Sequence, residues 1–147
     1  MTTLAFDGKT AAIDSRITDP GVIHTDNGIK YLETEDITLF CVGDMGQQSK
    51  LFQLYVKQRE SGSSFQPNAM DLKECRIYVF EKDKKTLSEY YSLDGISISQ
   101  FTYVGITAFG SGKKYAIGAM DAGKNAESSV AIAAKRDSYT GGKVHVF

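Results

Sequence analysis

The first residues of the chain, Met1-Thr2-Thr3-Leu4, place a hydroxyl amino acid directly after Met1. If Met1 is removed, Thr2 becomes a free N-terminus. The Thr2 hydroxyl then has a general base in its own residue, because the α-amine lies within reach and has an ordinary pKa of about 8. A threonine in this position can therefore act as a nucleophile.

The segment that carries Thr2 is predicted to be a β-hairpin, with strands over residues 2–6 and 10–14 and a turn at Asp7-Gly8-Lys9. An Asp-Gly pair between apolar runs is among the strongest short-range signals for a hairpin. The hairpin returns the chain toward its start. We therefore expect Asp14 to lie near Thr2.

The composition excludes several classes of partner. The formal net charge of the 147 residues is −1, so no overall basic field would attract nucleic acid or an anionic membrane. The longest apolar stretches, such as 37–42, are far shorter than the roughly 20 residues of a membrane helix, and no signal-peptide pattern opens the chain. We expect a cytoplasmic protein that binds neither nucleic acid nor membranes.

The chain contains two cysteines and two histidines. Cys41 and Cys75 lie in strand-like runs and are predicted to be buried, reduced core thiols. With only His24 and His145 in addition, the sequence offers almost no material for a zinc site.

The remaining pattern predicts an α+β domain, because strands, a helix, further strands, two helices and a closing strand follow one another. On length, residues 1–147 are expected to form one domain. The stretches 18–28 and 61–73 are polar and are predicted to be connections. The predicted strands are 29–34, 37–42, 76–81, 87–93, 100–110 and 143–147, and the predicted helices are 47–60, 113–122 and 126–136.

Four segments in order along the chain carry a resemblance to a known family. They are Thr2-Thr3-Leu4, Asp14-Ser15-Arg16, Gly110-Ser111-Gly112 and Asp137-x-x-Thr140-Gly141-Gly142. In them the chain resembles the N-terminal threonine hydrolases of the proteasome β-subunit and HslV type, with threonine replacing the family's serine at Thr140. The resemblance covers residues 2–59 and 101–147. The middle of the chain matches only in its broad strand pattern and is shorter than in typical members.

This resemblance implies the N-terminal nucleophile (Ntn) hydrolase fold, a four-layer αββα sandwich of two antiparallel sheets flanked by helices. It also implies site residues. Lys30, sixteen residues after Asp14, stands at the distance of the family's active-site lysine, and Gly43 follows at the distance of its oxyanion glycine. Ser111, Asp137 and Thr140 match the positions that orient the amine and the water. Ser15 and Arg16 are interpreted as structural residues that position Asp14.

The chemistry implied is the hydrolysis of amide bonds through a covalent ester. The Thr2 hydroxyl would attack the carbonyl while the Thr2 amine takes the proton, with Lys30 held charged by Asp14. No metal or organic cofactor is needed. The resemblance further implies a peptide or protein substrate, a homo-oligomeric ring and, for HslV-type rings, a separate ATPase unfoldase.

Three alternatives remain open from the residues alone. The chain could be a catalytically silent assembly subunit, because an acylated Thr2 has no free amine. It could instead be an Ntn amidohydrolase that acts on a small amide rather than on peptides. A Ser-His-Asp hydrolase using His24 or His145 is the weakest alternative, since neither histidine stands in a recognisable motif.

Overall fold

The computed structural model describes residues 1–147, which form eleven strands and four helices. The elements in chain order are β1 (Thr3–Asp7), β2 (Ala11–Ile13), β3 (Ile17–Asp19), β4 (Val22–Thr25), β5 (Tyr31–Glu33), β6 (Ile37–Gly43), α1 (Met45–Glu60), α2 (Asp71–Glu74), β7 (Cys75–Glu81), β8 (Thr86–Tyr91), β9 (Ser99–Tyr103), β10 (Ile106–Gly110), α3 (Lys113–Asp121), α4 (Ala126–Ala134) and β11 (His145–Val146).

Two antiparallel sheets contain most of the strands. The first sheet has the order β10-β1-β2-β11, and the second has the order β5-β6-β7-β8-β9. The strands β3 and β4 form a separate hairpin. Strand β1 pairs on one side with β2 and on the other with β10, so it lies in the interior of the first sheet.

Strand β1 is buried on both faces, and the alternation of its side chains decides what each face contacts. Leu4 and Phe6 point toward the second sheet, where they pack in one cluster with Phe40 and Phe80. Ala5 points the other way and packs with alanines of β2, β10, α3 and α4. The small side chains on this face allow α3 and α4 to approach the sheet closely.

The outer face of the second sheet is covered by α1 and α2. Leu39 and Ile77 of this sheet pack there against Leu51 and Phe52 of α1 and Leu72 of α2. The layers therefore run from α3 and α4 through the first sheet and the second sheet to α1 and α2. The αββα sandwich that the sequence resemblance implies is confirmed.

The helices differ in detail from the sequence prediction. Helix α1 begins at Met45, because Asp44 caps it by accepting a hydrogen bond from the Gly46 N–H at 2.7 Å. None of the helices is both long and apolar enough to cross a bilayer.

One predicted strand and one predicted connection were wrong. The run 100–110 is not one strand, because β9 pairs with β8 in the second sheet whereas β10 pairs with β1 in the first. The chain changes sheets between Tyr103 and Ile106. The polar stretch 18–28 is not a plain connection, because the turn at Pro20-Gly21 joins β3 to β4. These two strands are largely exposed, so they lack the buried alternation that would reveal them.

The prediction of reduced thiols was also wrong. Cys41 and Cys75 are buried as expected, but they are joined by a disulfide bond. Cys41 lies opposite Ile77, and Cys75 lies opposite Gly43, so the two cysteines are diagonal neighbours on β6 and β7. Sequence spacing alone does not show that two strands place two such side chains on one face.

Gly110 is a position where only glycine fits, and this yields a test of the junction between β10 and β1. Its φ is +91°, and a Cβ there would overlap the Thr2 carbonyl oxygen. We expect Gly110→Ala to lower the free energy of unfolding by about 1–3 kcal/mol, through backbone strain and the clash. Urea titration followed by circular dichroism measures this change.

The matched control is Gly118→Ala. Gly118 lies within α3, and a Cβ there would meet nothing within 4 Å. Replacing a helical glycine with alanine should stabilise the protein by roughly 0.5–1 kcal/mol. Equal effects of the two substitutions would contradict the close packing of Gly110 against Thr2.

Candidate active site

Thr2 lies immediately before β1 and is buried, with only 2% of its surface exposed. Its carbonyl oxygen accepts a hydrogen bond from the Ser111 N–H at 3.0 Å. On its other side, the Met1 carbonyl accepts a hydrogen bond from Lys30 Nζ at 2.8 Å, and the Met1 amine donates to Thr18 Oγ1 at 3.0 Å. The Met1–Thr2 peptide bond is thus held between Lys30 and the segment that follows β10.

Lys30 and Asp14 form a buried ion pair beside this peptide bond. The distance from Lys30 Nζ to Asp14 Oδ1 is 2.9 Å, and each residue is 1% exposed. Burial lowers the pKa of Lys30 because it disfavours the charged ammonium, and the neighbouring Asp14 carboxylate opposes that shift. The pair places a positive charge next to Thr2 with almost no solvent to screen it.

The Asp14 carboxylate is held from further directions by the backbone. Its Oδ1 accepts a hydrogen bond from the Thr3 N–H at 2.9 Å, and its Oδ2 accepts one from the Gly141 N–H at 3.1 Å. Asp14 therefore joins three segments: β1, the loop after α4 and Lys30. The hairpin that the sequence predicts brings Asp14 to this position.

A chain of hydroxyl groups connects Asp137 to β1. Thr140 Oγ1 donates to Asp137 Oδ2 at 2.6 Å and lies 2.5 Å from Thr3 Oγ1. Thr3 Oγ1 accepts a hydrogen bond from the Gly112 N–H at 3.0 Å. Because the Thr140 proton is used toward Asp137, Thr3 must donate to Thr140. The donor and the acceptor of each hydrogen bond from Gly112 to Asp137 are therefore determined.

Ser111 and Asp137 lie at the other end of the site. The Ser111 hydroxyl is buried without a well-aligned hydrogen-bond partner, although it is close enough to the Asp137 carboxylate to affect its titration. Burial raises the pKa of Asp137, but donors that include Ser111, Thr140 and the Tyr139 N–H outweigh burial and lower it. Asp137 is thus stabilised as a carboxylate.

Ser15 and Arg16 attach the Asp14 strand end to the loop that contains Thr140. Their backbone N–H groups both donate to the Gly141 carbonyl, at 3.2 Å and 3.0 Å. The Arg16 guanidinium pairs with Asp26 at 2.7 Å and also donates to the Ser138 carbonyl at 3.0 Å. These contacts hold the two backbone segments on either side of Asp14 in register.

Gly43 ends β6 and does not contact Thr2 directly. It lines a cleft of about 620 Å³ that Gly110 also lines, and Gly110 lies opposite Thr3 in the sheet. The φ of Gly43 is +129°, and a Cβ there would meet the Glu74 carbonyl. Gly43 and Gly110 therefore line the same cleft, and Gly110 connects that cleft to the backbone of Thr2 and Thr3.

The structure brings Thr2, Asp14, Lys30, Ser111, Asp137 and Thr140 into one network, with Gly43 across the cleft. Sequence reasoning missed Thr3, whose hydroxyl links Gly112 to Thr140, and the Gly141 N–H. Both belong to motifs that the sequence analysis quoted, so the signal was present. The amino-acid sequence alone, however, does not indicate that the side chain in contact with Thr140 would come from β1.

The two histidines lie apart from this network. His24 pairs with Asp19 at 2.7 Å in the exposed β3–β4 hairpin, and His145 contacts the Tyr31 hydroxyl at 3.3 Å. Neither imidazole contacts a serine hydroxyl in these pairs, which a Ser-His-Asp arrangement would require. No three His, Cys, Asp or Glu side chains converge as they would around a metal ion.

The buried pair offers a direct stability test. Lys30→Met leaves the Asp14 carboxylate buried without its cation, and we expect a loss of roughly 3–5 kcal/mol in the free energy of unfolding. The double substitution Asp14→Asn with Lys30→Met should cost less than the sum of the two single changes. The surface pair of Lys84 with Glu81 is the control, and Lys84→Met should cost less than about 1 kcal/mol. Additive single effects in a urea-unfolding cycle would contradict a coupled pair.

No family model matches the sequence. No curated protein matches it significantly. Solved structures, in contrast, match nearly the whole chain. Eukaryotic HslV from Trypanosoma brucei superimposes with a TM-score of 0.72 at 17% identity, covering 99% of this chain and 97% of that one. BPH from Thiobacillus denitrificans, solved in complex with epoxomicin, gives 0.65 at 16% identity, covering 99% and 96%.

A second structure of BPH from Thiobacillus denitrificans also gives a TM-score of 0.65 at 16% identity, covering 99% of this chain and 95% of that one. Identities of 16–17% show a shared fold rather than a shared activity. The chain therefore has the fold of HslV and BPH, the Ntn hydrolase fold of the threonine peptidases that its sequence motifs resemble.

Proposed function

We propose that residues 1–147 form one N-terminal threonine hydrolase domain of the proteasome/HslV type, which cleaves peptide bonds through an ester on Thr2 after Met1 is removed. The observation that carries this proposal is the contact of Lys30 Nζ with the Met1 carbonyl at 2.8 Å. The carbon of that carbonyl is bonded to the Thr2 nitrogen. A buried cation and its carboxylate thus lie where the Thr2 amine would be freed.

The first half of the reaction forms the ester. Thr2 Oγ1 attacks the substrate carbonyl, and the Thr2 amine accepts the hydroxyl proton, directly or through a water. Lys30 favours the developing alkoxide and keeps the amine unprotonated through its positive field. The amine then passes the proton to the leaving nitrogen as the peptide bond breaks. Base assistance of this kind is worth about 10²–10⁴ in rate.

The second half releases the product. The Thr2 amine removes a proton from a water, the water oxygen attacks the ester carbonyl, and Thr2 Oγ1 leaves with that proton. Gly43 would donate its N–H to the oxyanion in both halves, and one such donor contributes about 3–4 kcal/mol. Ser111, Asp137 and Thr140 would orient the amine and the water. Every step uses groups of this chain, so the proposal includes no cofactor.

The proposed partners rest on the likeness to proteasome and HslV subunits. The proposed substrate is a peptide or an unfolded protein segment, the proposed assembly is a homo-oligomeric ring, and an ATPase unfoldase is the proposed source of substrate. The neighbour BPH was solved in complex with epoxomicin, an epoxyketone, which suggests a suitable chemical probe.

A cytoplasmic location stays a sequence-based prediction. The Cys41–Cys75 disulfide is of a kind uncommon in reducing compartments.

The second candidate is a catalytically silent subunit of such an assembly, and the two candidates differ in the chemical state of Thr2. As long as Met1 remains bonded to Thr2, the Thr2 nitrogen is part of an amide, while the Met1 carbonyl contacts Lys30 and the Met1 amine contacts Thr18. An acylated nitrogen is not a base. Whether Met1 is removed therefore distinguishes an enzyme from a silent subunit.

An epoxyketone distinguishes the two because it needs both the hydroxyl and the free amine of one N-terminal residue. We expect the intact mass of the purified protein to lack Met1 and to increase by one inhibitor mass after exposure. Thr2→Ala should abolish the adduct, because it removes the hydroxyl. Thr2→Ser is the matched control and should retain it. Retained Met1 with no adduct would refute the enzyme and favour the silent subunit.

The rate of adduct formation should depend on pH. Partial burial and the nearby Lys30 lower the pKa of the Met1 amine, and the Thr2 nitrogen is bonded to the Met1 carbonyl carbon, whose oxygen Lys30 contacts. A base works only when it is deprotonated, so the rate should rise with pH and level off with a midpoint below about 8. A short peptide with an N-terminal threonine provides the unperturbed reference. A protein midpoint at or above that of the peptide would contradict the role of Lys30.

A further inference from the structure

The cleft shared by Gly43 and Gly110 is lined by residues of both sheets and of α3. One wall comes from the second sheet and includes Val42 and Tyr78, and the opposite wall comes from β10 and α3 and includes Phe109 and Ile117. Its volume of about 620 Å³ is enough for a large amino-acid side chain. The cleft adjoins Thr2 through Gly110.

The buried carboxylate in this cleft already accepts hydrogen bonds from three side chains of the protein. Glu89 is 3% exposed and accepts hydrogen bonds from Arg76 Nη1 at 2.9 Å, the Tyr78 hydroxyl at 3.0 Å and the Tyr103 hydroxyl at 2.7 Å. Burial, followed by the negative charge of Glu89, raises the pKa of Tyr78, so its hydroxyl stays protonated. Glu89 therefore organises this wall and leaves little negative charge to attract a cation.

The charges that remain free in the cleft are mainly positive. Lys73 and Lys113 are exposed and form no ion pair, and Glu74 is the one carboxylate beside them that also lacks a partner. The Arg76 side chain is 45% exposed although it pairs with Glu89. The cleft thus combines apolar walls with a cationic rim. That combination suits a side chain with an aliphatic stem and a terminal carboxylate.

We propose that this cleft is a specificity subsite that binds a glutamate side chain next to the scissile bond of the substrate. The inference rests on the proposed function and adds the chemical class of the preferred residue. Lys73 and Lys113 would attract the carboxylate, while Val42, Phe109 and Ile117 would pack against the stem. Both lysines lie outside the catalytic network, so changing them alters the choice of substrate and leaves the reacting groups in place.

The test uses an equimolar mixture of peptides that differ only at the residues flanking each cleavage point, with Glu, Gln or Lys there. Mass spectrometry of the products identifies the cleaved bond and both flanking residues. We expect cleavage beside Glu to exceed cleavage beside its isostere Gln by about fivefold at low salt. The ratio should fall toward one in 0.5 M salt, since exposed charges are screened.

Charge reversal sharpens the test. The double variant Lys73→Glu with Lys113→Glu should prefer Lys over Glu, and the control Lys114→Glu should keep the wild-type preference. Lys114 is also exposed and neighbours Lys113 on α3, but it does not line the cleft. Adduct formation with the epoxyketone measures the active fraction of each variant. The ratio of cleavage beside Glu to cleavage beside Gln, and its dependence on salt, is measured on the wild type and so does not depend on whether a variant folds.

The outcomes separate the two proposals. Absence of any adduct would overturn the proposed function and this inference with it. A normal adduct with equal cleavage beside Glu and Gln would overturn the inference alone. A preference for Glu that survives the lysine reversal unchanged would also overturn it, because some other part of the molecule would then recognise the carboxylate.

Discussion

The interaction on which the rest of the site depends is the buried ion pair of Lys30 with Asp14. Neither charge has appreciable contact with solvent, so each requires the other. Asp14 is also held by the Thr3 and Gly141 N–H groups, which ties the pair to β1 and to the loop after α4. The same contacts that compensate two buried charges thus bring together the segments that carry Thr2 and Thr140.

Strand β1 shows how packing fixes the position of Thr2 and Thr3. Because Leu4 and Phe6 fill the space between the sheets and Ala5 contacts the helical layer, a slip of β1 by one residue would press the large side chains against the helices and leave a gap between the sheets. Thr2 and Thr3 are therefore held at a definite place at the end of a rigid strand. Preorganisation of this kind is what a weak alcohol nucleophile needs, because the reacting groups must already be positioned when substrate arrives.

Gly110 joins the candidate active site to the cleft. Gly110 pairs with Thr3 on one side and lines the cleft on the other, while Gly43 faces the cleft from β6. One wall comes partly from β7, β8 and the segment near α2, in the stretch of the chain that least resembles the family. Residues outside the recognised motifs can therefore set what the cleft accepts without moving the network around Thr2.

The sequence by itself determined the hairpin, the order of elements and the motif residues, because Asp-Gly turns, apolar periodicity and short hydroxyl and glycine motifs are local signals. It could not reveal the change of sheet between β9 and β10, the β3–β4 hairpin or the Cys41–Cys75 bond, since each depends on partners distant in the chain. Thr3 lies 137 residues from Thr140, and Arg76, Glu89 and Tyr103 meet only across strands. Tertiary structure alone decided these contacts, because burial and pairing of polar groups are properties of the packed sheets.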